Sequence, residues 1–352
     1  TDAEQTALDI AYEQTAELPA DTVPAGLKHY VGTCDKIEKV SDSRFRCSII
    51  YNADTVGNDP LQFLNVMFGN VSIKPGIKVV DFDTGPHTSL FPGPSFGIKG
   101  IRDQISAYER PLSCTALKPM GSDPEKLASI AFDAAVGGID IIKDDHGLSN
   151  QPAAPFQKRV TSIMEAIDRA EQSTGKRAAY FPNVTARYEE LVTRADFAKK
   201  SGAGGLLISP QLTGLSAMAS LADSAIGMPL MAHPAFSGPF TINQQSGFMP
   251  DVYYGKLWRI FGADAIIYPN AGGRFSYSLD QCQSINERCR ETFHHFRAVF
   301  PVPGGGIDRH TVSDWKKADG GDTIFLIGGS LYQHPNGFRA ASKEFQETLT
   351  SV

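Results

Sequence analysis

No CxxC pair, no long apolar run and no block of basic charge occurs in these 352 residues. The five cysteines, Cys34, Cys47, Cys114, Cys282 and Cys289, are odd in number and lack metal-type spacing. Such a set reads as reduced thiols in a cytoplasmic protein. Cys282 and Cys289 fall two turns apart on one face of an expected helix and read as packing. The longest apolar stretches run for about eight residues, against the roughly 20 that a spanning helix needs, so no membrane span is expected. Lys and Arg total 33 and are scattered; Asp and Glu total 39, for a net charge of −6. That balance argues against nucleic acid or an anionic membrane as partner. Residues 1–5 are polar and acidic, without the basic start of a signal peptide, and the absence of an initial Met reads as a trimmed or missing start.

What is present is alternation. Up to about Ala107 strands and helices keep no fixed order: residues 44–51 read as a strand, Pro60–Phe68 as a helix and 78–83 as another strand. Residues 52–59 and 91–97 read as loops from their Gly, Pro and Asn content. From Leu112 onward the rhythm is regular. Strands are predicted at Leu112–Leu117, 139–143, 178–183, 205–209, 230–233, 265–268, 298–302 and 323–327. Helices are predicted at Pro124–Val136, 156–173, 187–200, 253–261, 279–296 and 338–349. Eight strand–helix units over roughly 240 residues match the size and count of a closed (β/α)8 barrel. The fold class is therefore α/β: a small N-terminal α+β domain over 1–107 and a C-terminal TIM barrel over 108–352. An open doubly wound sheet is the runner-up, but no GxGxxG follows the first strand.

In such barrels chemistry sits at the C-terminal strand ends. The second strand ends in Lys143-Asp144-Asp145-His146, and alternation points Lys143 and Asp145 the same way. A lysine among carboxylates is also an ordinary rim ion pair. The other ends supply Lys118, Asn183, Ser209, His233 and Asn270, then Gly304-Gly305-Gly306 and Gly328-Gly329-Ser330. Paired glycine turns after strands seven and eight suit a phosphate, which approaches bare backbone N–H groups. Arg274, in the stretch 270–274, is placed to reach over the mouth and close on an anion.

These residues carry a resemblance. Cys114–Gly121 (CTALKPMG), Gly138–His146, Gly69-Asn70, Phe91–Gly97, Pro301–Ile307 and Leu326–Ser330 resemble, in order, segments of the ribulose-bisphosphate carboxylase large subunit. They are closer still to its non-carboxylating relatives, the type IV RuBisCO-like proteins. The resemblance implies that Lys118 transfers protons, its pKa lowered by burial and neighbouring cations. It implies that Lys143 becomes a carbamate, an anion able to ligate a hard cation, with Asp145 and His146 completing the metal site. The cation, Mg²⁺ or Mn²⁺, would stabilise an enediolate. Gly305, Gly306, Gly328 and Gly329 would hold a phosphate, with Arg274 where the family has a mobile-loop lysine. Asn70 and Glu13 would reach in from a second subunit, in a homodimer or a multiple of dimers.

Departures from the family pattern narrow the substrate. His146 replaces a glutamate ligand, which disfavours Mg²⁺ relative to transition metals. The first-strand motif is one residue short, with Met120 near the position of a second lysine. His233 is followed by Pro234 where a second phosphate would need arginine, and Ile267 stands at a histidine position. One phosphate grip remains, so a monophosphorylated sugar or sugar acid is expected, and carboxylation is not. The Lys-Asp-Asp-His variant most resembles the branch that cleaves 3-oxo-isoapionate 4-phosphate, a transcarboxylase/hydrolase. The alternative is a 5-methylthioribulose-1-phosphate isomerase or related enolase. The rival of another class is a silent barrel that only binds phosphometabolites.

Each candidate has a plainer reading. Lys118 could be a surface lysine at a strand exit, His146 a helix cap, Asn183 a turn residue, and His233, a candidate catalytic group, a satisfied buried histidine. His294-His295 reads as solvated helix surface, and the lysines and arginines from Lys158 to Arg187 as a solvated face.

Overall fold

The computed structural model describes residues 3–275 and 277–351. It divides into two compact units, Thr1–Phe91 with Pro239–Met249, and Pro92–Gly238 with Pro250–Val352.

The larger unit contains eight parallel strands: β1 (Leu112–Leu117), β2 (Ile141–Asp144), β3 (Ala179–Phe181), β4 (Leu206–Ile208), β5 (Leu230–Ala232), β6 (Ala265–Pro269), β7 (Phe300–Gly304) and β8 (Ile324–Ile327). They pair in the order β3-β2-β1-β8-β7-β6-β5-β4. An isolated parallel bridge between Asn183 and Leu207 joins the two ends. There Val184 N–H donates to Leu207 O and Leu207 N–H to Pro182 O, both at 2.9 Å. The sheet is thus a closed barrel, and the open doubly wound alternative falls.

Strands covered on both faces need near-continuous apolar runs, and all six residues of β1 are buried. Alternate residues fill the interior: Leu112, Cys114, Ile141, Phe181, Leu207, Met231, Ala265, Ile267, Phe300, Val302 and Ile324 form one buried cluster. Gly205, just before β4, leaves room for the Phe181 ring, which a Cβ there would overlap. Gly205→Ala should therefore cost about 1–3 kcal/mol of stability, read as a lower urea midpoint at unchanged slope.

The helix Pro124–Val136 matches its expected bounds because the Asp123 side chain accepts from Lys126 N–H and proline occupies the first turn. Elsewhere the expectations shift. Residues 279–296 hold a helix only to Arg290: Ser278 and Gln281 form a capping box at its start, and Glu291 is extended at its end. His294 and His295 are exposed, yet in a turn bridged by Phe293 and Phe296 rather than on a helix. Asp251–Trp258 winds as a π-helix, whose i→i+5 bonding leaves no mark in the residue pattern. Cys282 and Cys289 are buried.

The helix Gly97–Ile105 belongs to the larger unit, although its residues precede 107. Ile101 is buried in the barrel cluster, and Ile98 and Ile105 pack against it. The smaller unit holds the helix Ala3–Glu13, an antiparallel hairpin of Thr33–Ser41 with Arg44–Ile50, and the helix Pro60–Phe68, capped by Asp59. The expected strand at 78–83 shrinks to Lys78–Val79, paired in parallel with Gly247–Phe248. That pairing is why 239–249 returns to this unit.

Candidate active site

Inward-facing positions at the C-terminal ends of β1 and β2 carry the charged residues. The Lys118 ammonium lies 2.7 Å from Asp145 Oδ1. His146 Nδ1 lies 3.7 Å from the same oxygen. The His146 ring stacks on His233, with centroids 4.3 Å apart and planes at 15°. His233 Nδ1 accepts from Ala235 N–H at 3.1 Å, which leaves its neutral proton on Nε2. Beneath this layer Lys143 is 1% exposed and donates to Asp144 O at 3.1 Å. Lys118, Lys143, Asp145, His146 and His233 therefore converge on one mouth.

Burial governs the charge states. It pushes the Lys143 amine below its ordinary value, with Asp145 opposing and Lys118 reinforcing. It also pushes His233 well down, helped by the Lys143 and His146 charges. For Asp145 burial acts upward, but the neighbouring His146, the hydrogen bond from Lys118 and the Lys143 charge hold the carboxyl well below the usual range.

Asp144, between the two site residues, has a different task. It is buried with Arg159, whose Nε and Nη2 donate to its Oδ2 at 3.2 and 3.1 Å. Tyr180 O–H donates to Oδ1 at 2.7 Å, and Asn183 N–H to Oδ2 at 2.9 Å. Arg159 is thus a core residue, which corrects the solvated-face expectation; a charge this deep must be paired. Asn183 is committed likewise. Its amide donates to His146 O and Leu148 O at 3.0 and 2.9 Å and accepts from Thr185 N–H at 3.1 Å. It braces the loop after β2, and its side chain has no donor left for a substrate.

The glycine turns lie side by side because β7 and β8 pair at Gly304 and Leu326. Gly305 and Gly306 have φ of +105° and +69°, a region that suits glycine. A Cβ on Gly306 would meet Gly272 at 2.8 Å, whereas Gly328 and Gly329 face open space. Ser330 Oγ donates to Ile307 O at 3.4 Å and ties the turns together. Arg274 is exposed on the loop after β6. Ser209 Oγ and the whole Asn270 amide are buried at strand ends with no hydrogen-bond partner among the described residues. In the smaller unit Asn70 Nδ2 donates to Glu13 Oε1 at 3.2 Å.

Among the described residues no cluster of three or more His, Cys, Asp or Glu side chains is placed to hold a metal. A cation here would need an oxygen from Lys143. The buried amine, driven toward its neutral nucleophilic form, fits carbamate formation, and the set of carbamate, Asp145 and His146 then fits a divalent cation.

Two contacts escaped the sequence reading. Arg159 signals nothing locally, since its partner comes from the preceding strand. Tyr332, whose hydroxyl accepts from Lys118 N–H at 2.9 Å, lies 214 residues away from it.

Comparison with known proteins adds to this geometry. The family model described as "Ribulose bisphosphate carboxylase large chain, catalytic domain" matches residues 97–351. The 5-methylthioribulose-1-phosphate isomerase of Rhodospirillum rubrum is 36% identical over 335 residues, covering 94% of this chain and 88% of that one. The 2,3-diketo-5-methylthiopentyl-1-phosphate enolase of Bacillus licheniformis is 32% identical, with 99% and 88% covered. The crystal structure of a Rubisco-like protein from Rhodopseudomonas palustris superposes with a TM-score of 0.90 at 33% identity, covering 99% of this chain and 95% of that one.

Proposed function

Because the chain belongs to the ribulose bisphosphate carboxylase large-chain family, as a RuBisCO-like protein, we propose that it enolises and isomerises a five-carbon sugar phosphate with a single phosphate, 5-methylthioribulose 1-phosphate being the leading substrate. The observation that carries this reading is the Lys118–Asp145 pair, on the strand next to the open Gly328–Gly329 turn. A proton-transfer amine and a phosphate grip on adjacent strands suit abstraction of a proton near a carbonyl in an anchored substrate. Cleavage of 3-oxo-isoapionate 4-phosphate, ranked first by the sequence, yields to the isomerase because the relatives named above act on methylthio-sugar phosphates.

Backbone N–H groups of Gly305, Gly306, Gly328 and Gly329 hold the phosphate, and Arg274 closes over it. Lys118 takes the proton from the carbon beside the carbonyl, exchanges it with solvent and delivers a proton to the former carbonyl carbon, while the hydroxyl proton passes from one enediolate oxygen to the other. The 2.7 Å contact with Asp145 holds the Lys118 amine at the mouth, where a bound substrate meets it. The His146–His233 stack borders the mouth from the β2 and β5 sides. Lys143 as its carbamate, Asp145 and His146 would hold Mg²⁺ or Mn²⁺, which when bound polarises the substrate oxygens. Glu13 and Asn70 complete the site across a homodimer.

Incubating the purified protein with 5-methylthioribulose 1-phosphate in D2O should give an isomer carrying solvent deuterium beside its carbonyl. Consumption of 3-oxo-isoapionate 4-phosphate alone, with no exchange in the pentulose, defeats the proposal. Preincubation with bicarbonate and Mg²⁺ should raise the rate, and EDTA should abolish it; a rate indifferent to both removes the cation from the scheme.

A further inference from the structure

The β1–β8 ladder ends at the pair Thr115 and Ile327. Beyond it the chain turns away through Gly328, leaving the Ala116 carbonyl and the Lys118 N–H on one edge of β1 without a strand partner. A single hydroxyl serves both: Lys118 N–H donates to Tyr332 Oη at 2.9 Å, and Tyr332 O–H donates to Ala116 O at 3.0 Å. Tyr332 closes the short helix Gly329–Tyr332, which starts within the glycine turn. Its ring meets Phe338 edge-on at 4.7 Å. Burial pushes the phenol up, so it stays protonated and remains a donor.

We infer that Tyr332 is a positioning residue that couples the Gly328–Gly329 turn to Lys118, so that a phosphate seated on the turn sets the place of the proton-transfer amine. The inference rests on the roles assigned above to Lys118 and to the glycine turn. Lys118 is then pinned at both ends, its backbone by Tyr332 and its ammonium by Asp145. Only Ser330 and Leu331 separate Gly329 from Tyr332, so a small displacement of the turn reaches the β1 exit directly. A lysine misplaced by an ångström loses rate far more than binding.

Tyr332→Phe keeps the ring and its packing and deletes only the hydroxyl. Its kcat should fall about tenfold with KM for 5-methylthioribulose 1-phosphate within about twofold, as expected when a transition-state placement is lost. A second readout needs no turnover. Inorganic phosphate should slow hydrogen exchange of the Lys118 amide in the wild-type chain and not in Tyr332→Phe. If Tyr332→Phe keeps its kcat within twofold while Lys118→Met is dead, or loses kcat, KM and melting temperature together, the coupling is overturned. If the wild-type chain turns over no phosphorylated pentulose, the functional reading fails separately. The phosphate-exchange comparison then decides the coupling, with equal slowing in both chains counting against it.

Discussion

Lys118→Met should lower turnover by about 10²–10⁴-fold, the usual range for removing a general acid–base group. The fold should barely notice. The Lys118 side chain is 38% exposed, and its pairing with Asp145 opens to solvent, so the lost ion pair costs less than about 1 kcal/mol. Asp145 retains His146 and the Lys143 charge as neighbours. Methionine keeps most of the apolar stem, so the strand exit stays filled. Circular dichroism melts beside steady-state assays separate the two effects. Turnover retained to within about tenfold would return Lys118 to the role of a rim lysine and move proton transfer to another group; no turnover of any phosphorylated substrate by the wild-type chain would favour the silent phosphometabolite-binding barrel.

Arg159→Ala should produce the largest loss of stability. The guanidinium and the Asp144 carboxylate are both 0% exposed. Arg159 also donates to Ala154 O and Ser149 O at 2.7 and 2.8 Å. Truncation strands a buried carboxylate and frees two loop carbonyls together. Breaking a buried pair from one side costs about 3–5 kcal/mol, which corresponds to a fall of roughly 10 °C in melting temperature. Arg177→Ala, which removes exposed pairs to Asp168 and Glu171, should cost under about 1 kcal/mol. Calorimetry of the two variants checks the contrast. Equal melting temperatures would mean that Asp144 is satisfied without Arg159. Activity should also fall in Arg159→Ala, because the loop it braces carries Asp145 and His146.

The barrel was legible because its strands are covered on both faces and cannot hide. Leu112–Leu117 is apolar or small throughout and was bounded to the residue. Pro124–Val136 announced itself through Asp123 and Pro124. The charged residues at the mouth were legible because chain alternation fixes which side Lys143 and Asp145 face. What a sequence conceals is partnership across the fold. Arg159 looks like any helix-surface arginine until Asp144 is placed beneath it. Asn183 looks free for a substrate until its donors are found on His146 O and Leu148 O. The return of 239–249 to the smaller unit depends on a two-residue strand pairing, too short to leave a pattern. The substrate ranking was similarly beyond the motifs, whose glycine turns suit a phosphate and leave the rest of the sugar open.

That return has a consequence for how the molecule can be divided. The polypeptide crosses between its two units at Phe91, again at Gly238 and once more at Met249. A barrel cut free at Pro92 would drag a tail-less flap after β5, its Gly247–Phe248 edge deprived of Lys78–Val79. The first ninety-odd residues made alone would lack one side of that same ladder. A cut that keeps each unit whole therefore has to pass through all three crossings.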